Sequence, residues 1–175
     1  MRRKILVPTL LVPLAVACAP FQQVSAGSLS PEQTGLVEKT CTNVLGLKRG
    51  EAYFADCQDS LAHSLARKSQ AQASVAAGDV CRRRGLAANS SAFAICVLDE
   101  QQNALLQTST TPIEAVELAP AAAAALESGK SYYNVSPEVQ FQRQRYACAQ
   151  LGLTPDGGLF GTCVASLTGA FMPDD

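Results

Sequence analysis

Six of the seven cysteines fall into a single template that the chain uses three times. The copies run Cys41…Gly46-Leu47…Phe54…Cys57, Cys81…Gly85-Leu86…Phe93…Cys96 and Cys148…Gly152-Leu153…Phe160…Cys163. In each, Gly-Leu stands eleven residues before the second cysteine and Phe stands three before it. The first pair is sixteen positions apart and the other two are fifteen apart. A template repeated in this detail implies one supersecondary unit used three times.

Each unit has the signals of a helical hairpin. Ser30-Pro31-Glu32 and Ser136-Pro137-Glu138 open the segments before the first and third copies. Serine followed by proline suits an N-cap with proline at the first helical position. Gly46, Gly85 and Gly152 are then expected to end these helices in a left-handed conformation. A second helix follows, because Phe54, Cys57, Leu61 and Leu65 share one helical face, as do Phe160, Cys163, Leu167 and Phe171. The middle copy has Glu100 at the leucine position, which leaves Val97 and Leu105 to complete its stripe. Between the legs lie Lys48-Arg49-Gly50, Asn89-Ser90 and Pro155-Asp156-Gly157-Gly158, all with turn chemistry.

The cysteines of each copy stand on opposite legs near the turn. Six cysteines allow fifteen pairings, and the repetition selects Cys41–Cys57, Cys81–Cys96 and Cys148–Cys163. Closing a loop of ~15 residues stabilises by about 3 kcal/mol in the chain-entropy model. Structural zinc would want cysteines two to four residues apart, and no such pair exists. The predicted fold is therefore all-α: three disulfide-stapled αα-hairpins with a partly helical Ala/Pro-rich insert. Hairpin units are expected at about 30–75, 76–107 and 136–175, with 108–135 as linker or insert, in one domain over 27–175.

The N-terminus predicts export. Met1-Arg2-Arg3-Lys4 is basic, and Ile5 to Ala19 is apolar but broken by Pro8 and Pro13. That is too short for a spanning helix and suits a signal peptide. Two routes of processing stand. Leu14-Ala15-Val16-Ala17-Cys18 is close to a bacterial lipobox, which would remove residues 1–17 and lipidate Cys18. Val24-Ser25-Ala26 is a small-residue cleavage site, which would remove 1–26. The expected compartment is the periplasm, with the outer membrane favoured if the chain is anchored. Either route leaves six cysteines for an oxidising compartment.

Residues 1–26 hold Arg2, Arg3 and Lys4 and no carboxylate, so the fourteen basic residues fall to eleven against fifteen acidic ones, a formal net of −4. That balance argues against nucleic acid as a partner. Arg82-Arg83-Arg84 is expected as a solvated face.

Residues able to carry chemistry are few. His63 is the only histidine, and no G-x-S-x-G elbow exists to partner it. Ser128-Gly129-Lys130-Ser131 ends like a phosphate loop, but position 124 is Ala where the pattern needs Gly. Asp99 and Glu100 are adjacent and expected at the surface, since neighbours on a helix point apart. Tyr132-Tyr133 is expected to pack its segment onto the hairpins. No catalytic residue, cofactor or metal ligand is assigned.

The Cys–Gly-Leu–Phe–Cys pattern resembles one found in short exported proteobacterial proteins of unassigned activity. The resemblance covers residues 41–57, 81–96 and 148–163 and implies an architecture rather than a reaction. The leading functional expectation is a non-enzymatic cell-envelope protein, an interaction or structural module facing an envelope partner. A small-molecule or lipid carrier is the alternative, favoured if Phe54, Phe93 and Phe160 line a cleft. A hydrolase assembled from distant residues is the second alternative.

Overall fold

The computed structural model describes residues 29–107 and 130–172. Residues 1–28, with the expected signal peptide and Cys18, residues 108–129 and residues 173–175 lie outside the described residues, as does the side chain of Leu105. The described residues are all-helical, without a strand. Helix α1 spans Pro31–Lys39 and runs into a π-helical turn, Thr40–Val44. Helix α2 spans Ala52–Arg83 and α3 spans Ser91–Gln107. A short 3₁₀ turn at Tyr132–Asn134 precedes α4, Pro137–Gln150, and α5, Gly158–Ala170.

Local chemistry accounts for these boundaries. The Ser30 side chain accepts from the Gln33 backbone N–H at 3.2 Å, and Gln33 Oε1 accepts from the Ser30 N–H at 2.9 Å. This reciprocal box satisfies two amides that the first helical turn leaves without partners. Ser136 has the extended backbone of an N-cap, but its side chain makes no capping bond; Pro137 opens α4 instead. The three template glycines take φ of +69°, +80° and +69° at Gly46, Gly85 and Gly152. Each therefore ends its helix as the spacing predicts.

The extra residue in the first copy has a structural counterpart. Cys81 and Cys148 precede their glycines by four positions, whereas Cys41 precedes Gly46 by five. The Leu86 N–H returns to the Cys81 carbonyl, but Leu47 returns to Cys41, one residue further back. The π turn takes up that residue by bonding the Leu45 N–H to the Thr40 carbonyl at 3.2 Å. The cysteine geometry is thereby kept. Cα–Cα distances are 6.1, 6.1 and 6.0 Å in Cys41–Cys57, Cys81–Cys96 and Cys148–Cys163, which are bonded as the template predicts.

Helix α2 has 32 residues, roughly 48 Å at about 1.5 Å per residue. It forms the second leg of the first hairpin and the first leg of the second, running unbroken past positions 75 and 76. Its N-terminal half enters the hydrophobic core through Phe54, Cys57, Leu61 and Leu65. The rest of the core comes from α1, the π turn, α4 and α5, with Leu45, Leu47, Leu151, Leu153 and Leu167 sealed inside. Ser60 and Ser166 bond at 2.6 Å between α2 and α5. Lys68 Nζ donates to the carbonyl of Leu151, at the C-terminal end of α4, at 2.8 Å. Burial pushes that lysine below the usual ammonium range.

The second half of α2 packs on α3 instead. Ala73, Ala77, Gly78 and Cys81 are its buried positions there. None of the described residues between 66 and 131 belongs to the main core cluster. The position that holds Leu61 in one copy and Leu167 in another holds Glu100 on α3. It is partly buried and paired with Arg84 at 2.6 Å, so it is not the free surface carboxylate expected from sequence. Asp99 is exposed, as are Arg82, Arg83 and Arg84.

Candidate functional site

The start of α2, the 3₁₀ turn and the facing ends of α4 and α5 leave a groove of about 480 Å³. Half of its lining is aromatic: Tyr53, Tyr132, Tyr133, Phe141 and Phe171. Each is brought there by a local feature. Tyr53 stands one residue before the template Phe54, about 100° round the helix, and packs partly buried against the edge of the core. Phe171 follows the Phe160–Cys163–Leu167 stripe, at the end of α5. Pro137 at the first turn of α4 sets the direction from which Gln140, Phe141 and Gln144 enter.

The rings are in contact. Tyr132 lies 4.5 Å from Phe171 between centroids, Tyr133 lies 5.1 Å from Tyr53, and Tyr53 meets Phe171 edge-on at 6.5 Å. Tilted and edge-on pairs at such distances are favoured by the ring quadrupoles. Tyr132 is buried, so the tyrosine pair packs its segment onto the first and third hairpins as expected. Tyr133 and Phe141 are each 43 % exposed and Met172 is 63 % exposed, which leaves an apolar rim on solvent.

Polar groups at the base are tied to one another. Gln144, itself buried, donates from Nε2 to Tyr132 Oη at 2.6 Å and accepts from Thr168 Oγ1 at 2.8 Å. Gln140 Nε2 donates to the Tyr132 carbonyl at 3.1 Å. These bonds fix the amides and the 3₁₀ turn against α4 and α5. Burial raises the Tyr132 phenol above its ordinary value, partly offset by the bond from Gln144. Burial also raises Tyr133, reinforced by Tyr53, Tyr132, Glu51 and Asp56. Among the described residues, none that lines the groove is charged.

A second, polar hollow of about 220 Å³ lies beside the π turn, lined by Thr42, Asn43, Gly46, Lys48, Lys130 and Arg143 among others. Arg143 is buried and donates to the Lys130 carbonyl at 2.9 Å. It ties the segment before the 3₁₀ turn to α4.

The residues singled out from sequence fall elsewhere. Phe54 and Phe160 are core residues, and Phe93 is half-buried on α3; none of the three lines the groove. The cleft imagined for a carrier is thus not where the template phenylalanines are. His63 is exposed on α2. Among the described residues no cluster of three metal-binding side chains occurs, and no helix is long and apolar enough to cross a membrane. Sequence reasoning missed Tyr53, Phe141 and Gln144. Tyr132-Tyr133, an adjacent aromatic pair outside the template, was singled out, but for packing its segment onto the hairpins and not for a groove.

Comparison of the chain with protein-family models, with curated proteins and with solved structures finds no match.

Proposed function

We propose that this is an exported, non-enzymatic interaction protein of the cell envelope, and that the aromatic groove is where its partner docks. The observation that carries this is the groove itself: an uncharged, open-sided site rich in tyrosine and phenylalanine, with exposed Tyr133, Phe141 and Met172 at its edge. Aromatic and methionine side chains are enriched where partners bind; the rings offer large contact area with little conformational entropy to lose, and methionine adapts its shape to the partner. The site is held by elements from two hairpins, each stapled by a buried disulfide. A pre-organised surface of this kind loses little on binding.

Export rests on the basic, apolar N-terminus and on three intrachain disulfides, which persist in oxidising compartments. Lipidation at Cys18 would add a tether to the outer membrane. More than one acyl chain would be needed for stable attachment.

The carrier reading is the alternative, because about 480 Å³ falls within the range of small-ligand pockets. A hydrolase would need a nucleophile and base in reach of each other. The groove offers the Thr168 hydroxyl, bonded to an amide and to the Val164 carbonyl.

The test is photo-crosslinking in the native host, with a photoreactive phenylalanine at position 133 or at position 95 on the distant α3. A discrete protein adduct is expected at 133, lost when Phe141→Ala is added, and not at 95. Equal adducts at both positions, or none at 133, would remove the docking role from the groove. A small molecule retained in native mass spectrometry would shift the conclusion to the carrier. Intact mass from the host separates a lipidated Cys18 from a chain starting at Gly27.

A further inference from the structure

The three staples share a template but not an environment. Cys41, Cys57 and Cys148 are fully buried and Cys163 is 1 % exposed, all inside the core. Cys81 is also sealed, but its partner Cys96 is partly exposed on α3. Beside that sulfur stands Arg84, whose Nη1 lies 3.7 Å from Cys96 Sγ while Nη2 is held by Glu100 at 2.6 Å. The other two copies have Leu45 and Leu151, both buried, at the position before the glycine where this copy has Arg84.

Thiol–disulfide exchange needs an attacking thiolate, access to one sulfur and a leaving sulfur able to carry charge. A guanidinium beside Cys96 Sγ attracts the incoming thiolate, and it stabilises Cys96 as the leaving thiolate when the mixed disulfide is resolved. We propose that Cys96 is a thiol-exchange site, at which an exported dithiol protein opens the Cys81–Cys96 bond while the two core disulfides stay closed. The inference is independent of what occupies the aromatic groove.

The chemistry balances with the dithiol as reductant. Its thiolate attacks Cys96 Sγ and forms a mixed disulfide. The bond to Cys81 breaks, and its electron pair leaves on Cys81 Sγ, which then takes up a proton. The second thiolate of the reductant attacks its own partner sulfur, and Cys96 departs as a thiolate next to Arg84. Two electrons have passed, and the dithiol has become a disulfide. The start of α3 is then released from the end of α2, where Glu100 supplies no apolar anchor of the kind that Leu61 and Leu167 give the other hairpins.

The experiment uses the oxidised full chain under native conditions, with dithiothreitol as probe and timed alkylation read by peptide mass mapping. Cys81 and Cys96 should be labelled at least about ten times faster than the four core cysteines. With glutathione in place of the dithiol, the trapped adduct should sit on Cys96 rather than Cys81. Arg84→Gln should slow opening several-fold and leave far-UV circular dichroism unchanged. Equal labelling of all six cysteines, an adduct on Cys81, or an unchanged rate in Arg84→Gln would each overturn the proposal. Since Arg84→Gln also removes the Glu100 ion pair, Glu100→Gln serves as control: it breaks the same pair and should not slow opening.

Discussion

The first and third hairpins bury their cysteines, phenylalanines and leucines against one another, whereas the second hairpin stands on the far half of α2 with a carboxylate where its siblings have leucine. All three copies carry the same staple and the same glycine stop. What separates the second copy from its siblings is charge at two positions: Arg84 where they have Leu45 and Leu151, and Glu100 where they have Leu61 and Leu167. A buried leucine contributes about 1.5–3 kcal/mol; an exposed ion pair such as Arg84–Glu100 contributes about 0–1. The template therefore makes a hairpin anywhere, but only the leucines make it part of the core. For the arm, the disulfide is a main restraint; for the core, it reinforces packing that already exists.

The strongest way to break this comparison is to remove staples one at a time. Cys148→Ser with Cys163→Ser should cost about 3–5 kcal/mol of global stability, from lost loop restraint and polar groups left in the core. Cys81→Ser with Cys96→Ser should leave the main urea transition within about 1 kcal/mol and loosen α3 alone. Hydrogen exchange resolved by helix checks both. If the two double variants lose the same global stability, the arm is part of the cooperative core after all.

Packing offers a second contrast. Leu61→Ala should cost about 2–5 kcal/mol, because the side chain is fully enclosed. Ile95→Ala, at a position 61 % exposed, should stay within about 0.5 kcal/mol. Chemical denaturation measures each. A large loss at Ile95 would mean that the outer face of α3 is covered in the native protein.

How much of this was legible beforehand follows from what kind of force decided it. Helix starts, glycine stops and the three pairings are local, so Ser30, Gly46, Gly85 and the cysteine template announced them. The π turn was written in the one-residue difference between Cys41–Gly46 and Cys81–Gly85, although only the hydrogen-bond pattern showed how the residue is absorbed. The groove was not legible. Tyr53 on α2, Phe141 and Gln144 on α4, and Phe171 at the end of α5 meet only once the first and third hairpins dock. No spacing within any one helix encodes that meeting. The continuity of α2 was half visible: no proline falls between Leu65 and Gly85, although Gly78 does stand in the run.

Third in size is the glycine stop, which occurs in both regions with different surroundings. An added Cβ at Gly46 would meet the Lys130 carbonyl at 2.9 Å and Arg143 Nη1 at 3.3 Å, whereas at Gly85 it would meet nothing within 4 Å. Both glycines have positive φ, which costs a non-glycine residue about 1–2 kcal/mol. Gly85→Ala should show that cost alone and mainly in the arm. Gly46→Ala should add about 1–3 kcal/mol of crowding against backbone that cannot easily move. Equal losses in thermal melts would mean that Lys130 and Arg143 give way freely.

The smallest expected effect separates the groove from the rest by pH. Tyr132, Tyr133 and Tyr146 all have phenols raised above their ordinary value, chiefly because burial disfavours the phenolate. The folded state then holds these protons to higher pH than the unfolded chain does. Their contribution is complete below the ordinary tyrosine value of ~10 and is lost as pH rises through each folded value. Lys68 works in the opposite sense: its value is lowered, so its contribution is present above the ordinary lysine value and lost as pH falls through the folded one. With three tyrosines against one lysine, stability should fall between pH ~9 and ~11. Tyr133→Phe removes one of the three and should flatten that fall by less than about 1 kcal/mol, because the ring is 43 % exposed and solvent screens it. Urea midpoints measured across this range, beside the near-ultraviolet tyrosinate band, read the effect directly. A slope unchanged by Tyr133→Phe would mean that this ring ionises as freely in the folded protein as in the unfolded chain, and that the groove is wetter than its packed aromatics indicate.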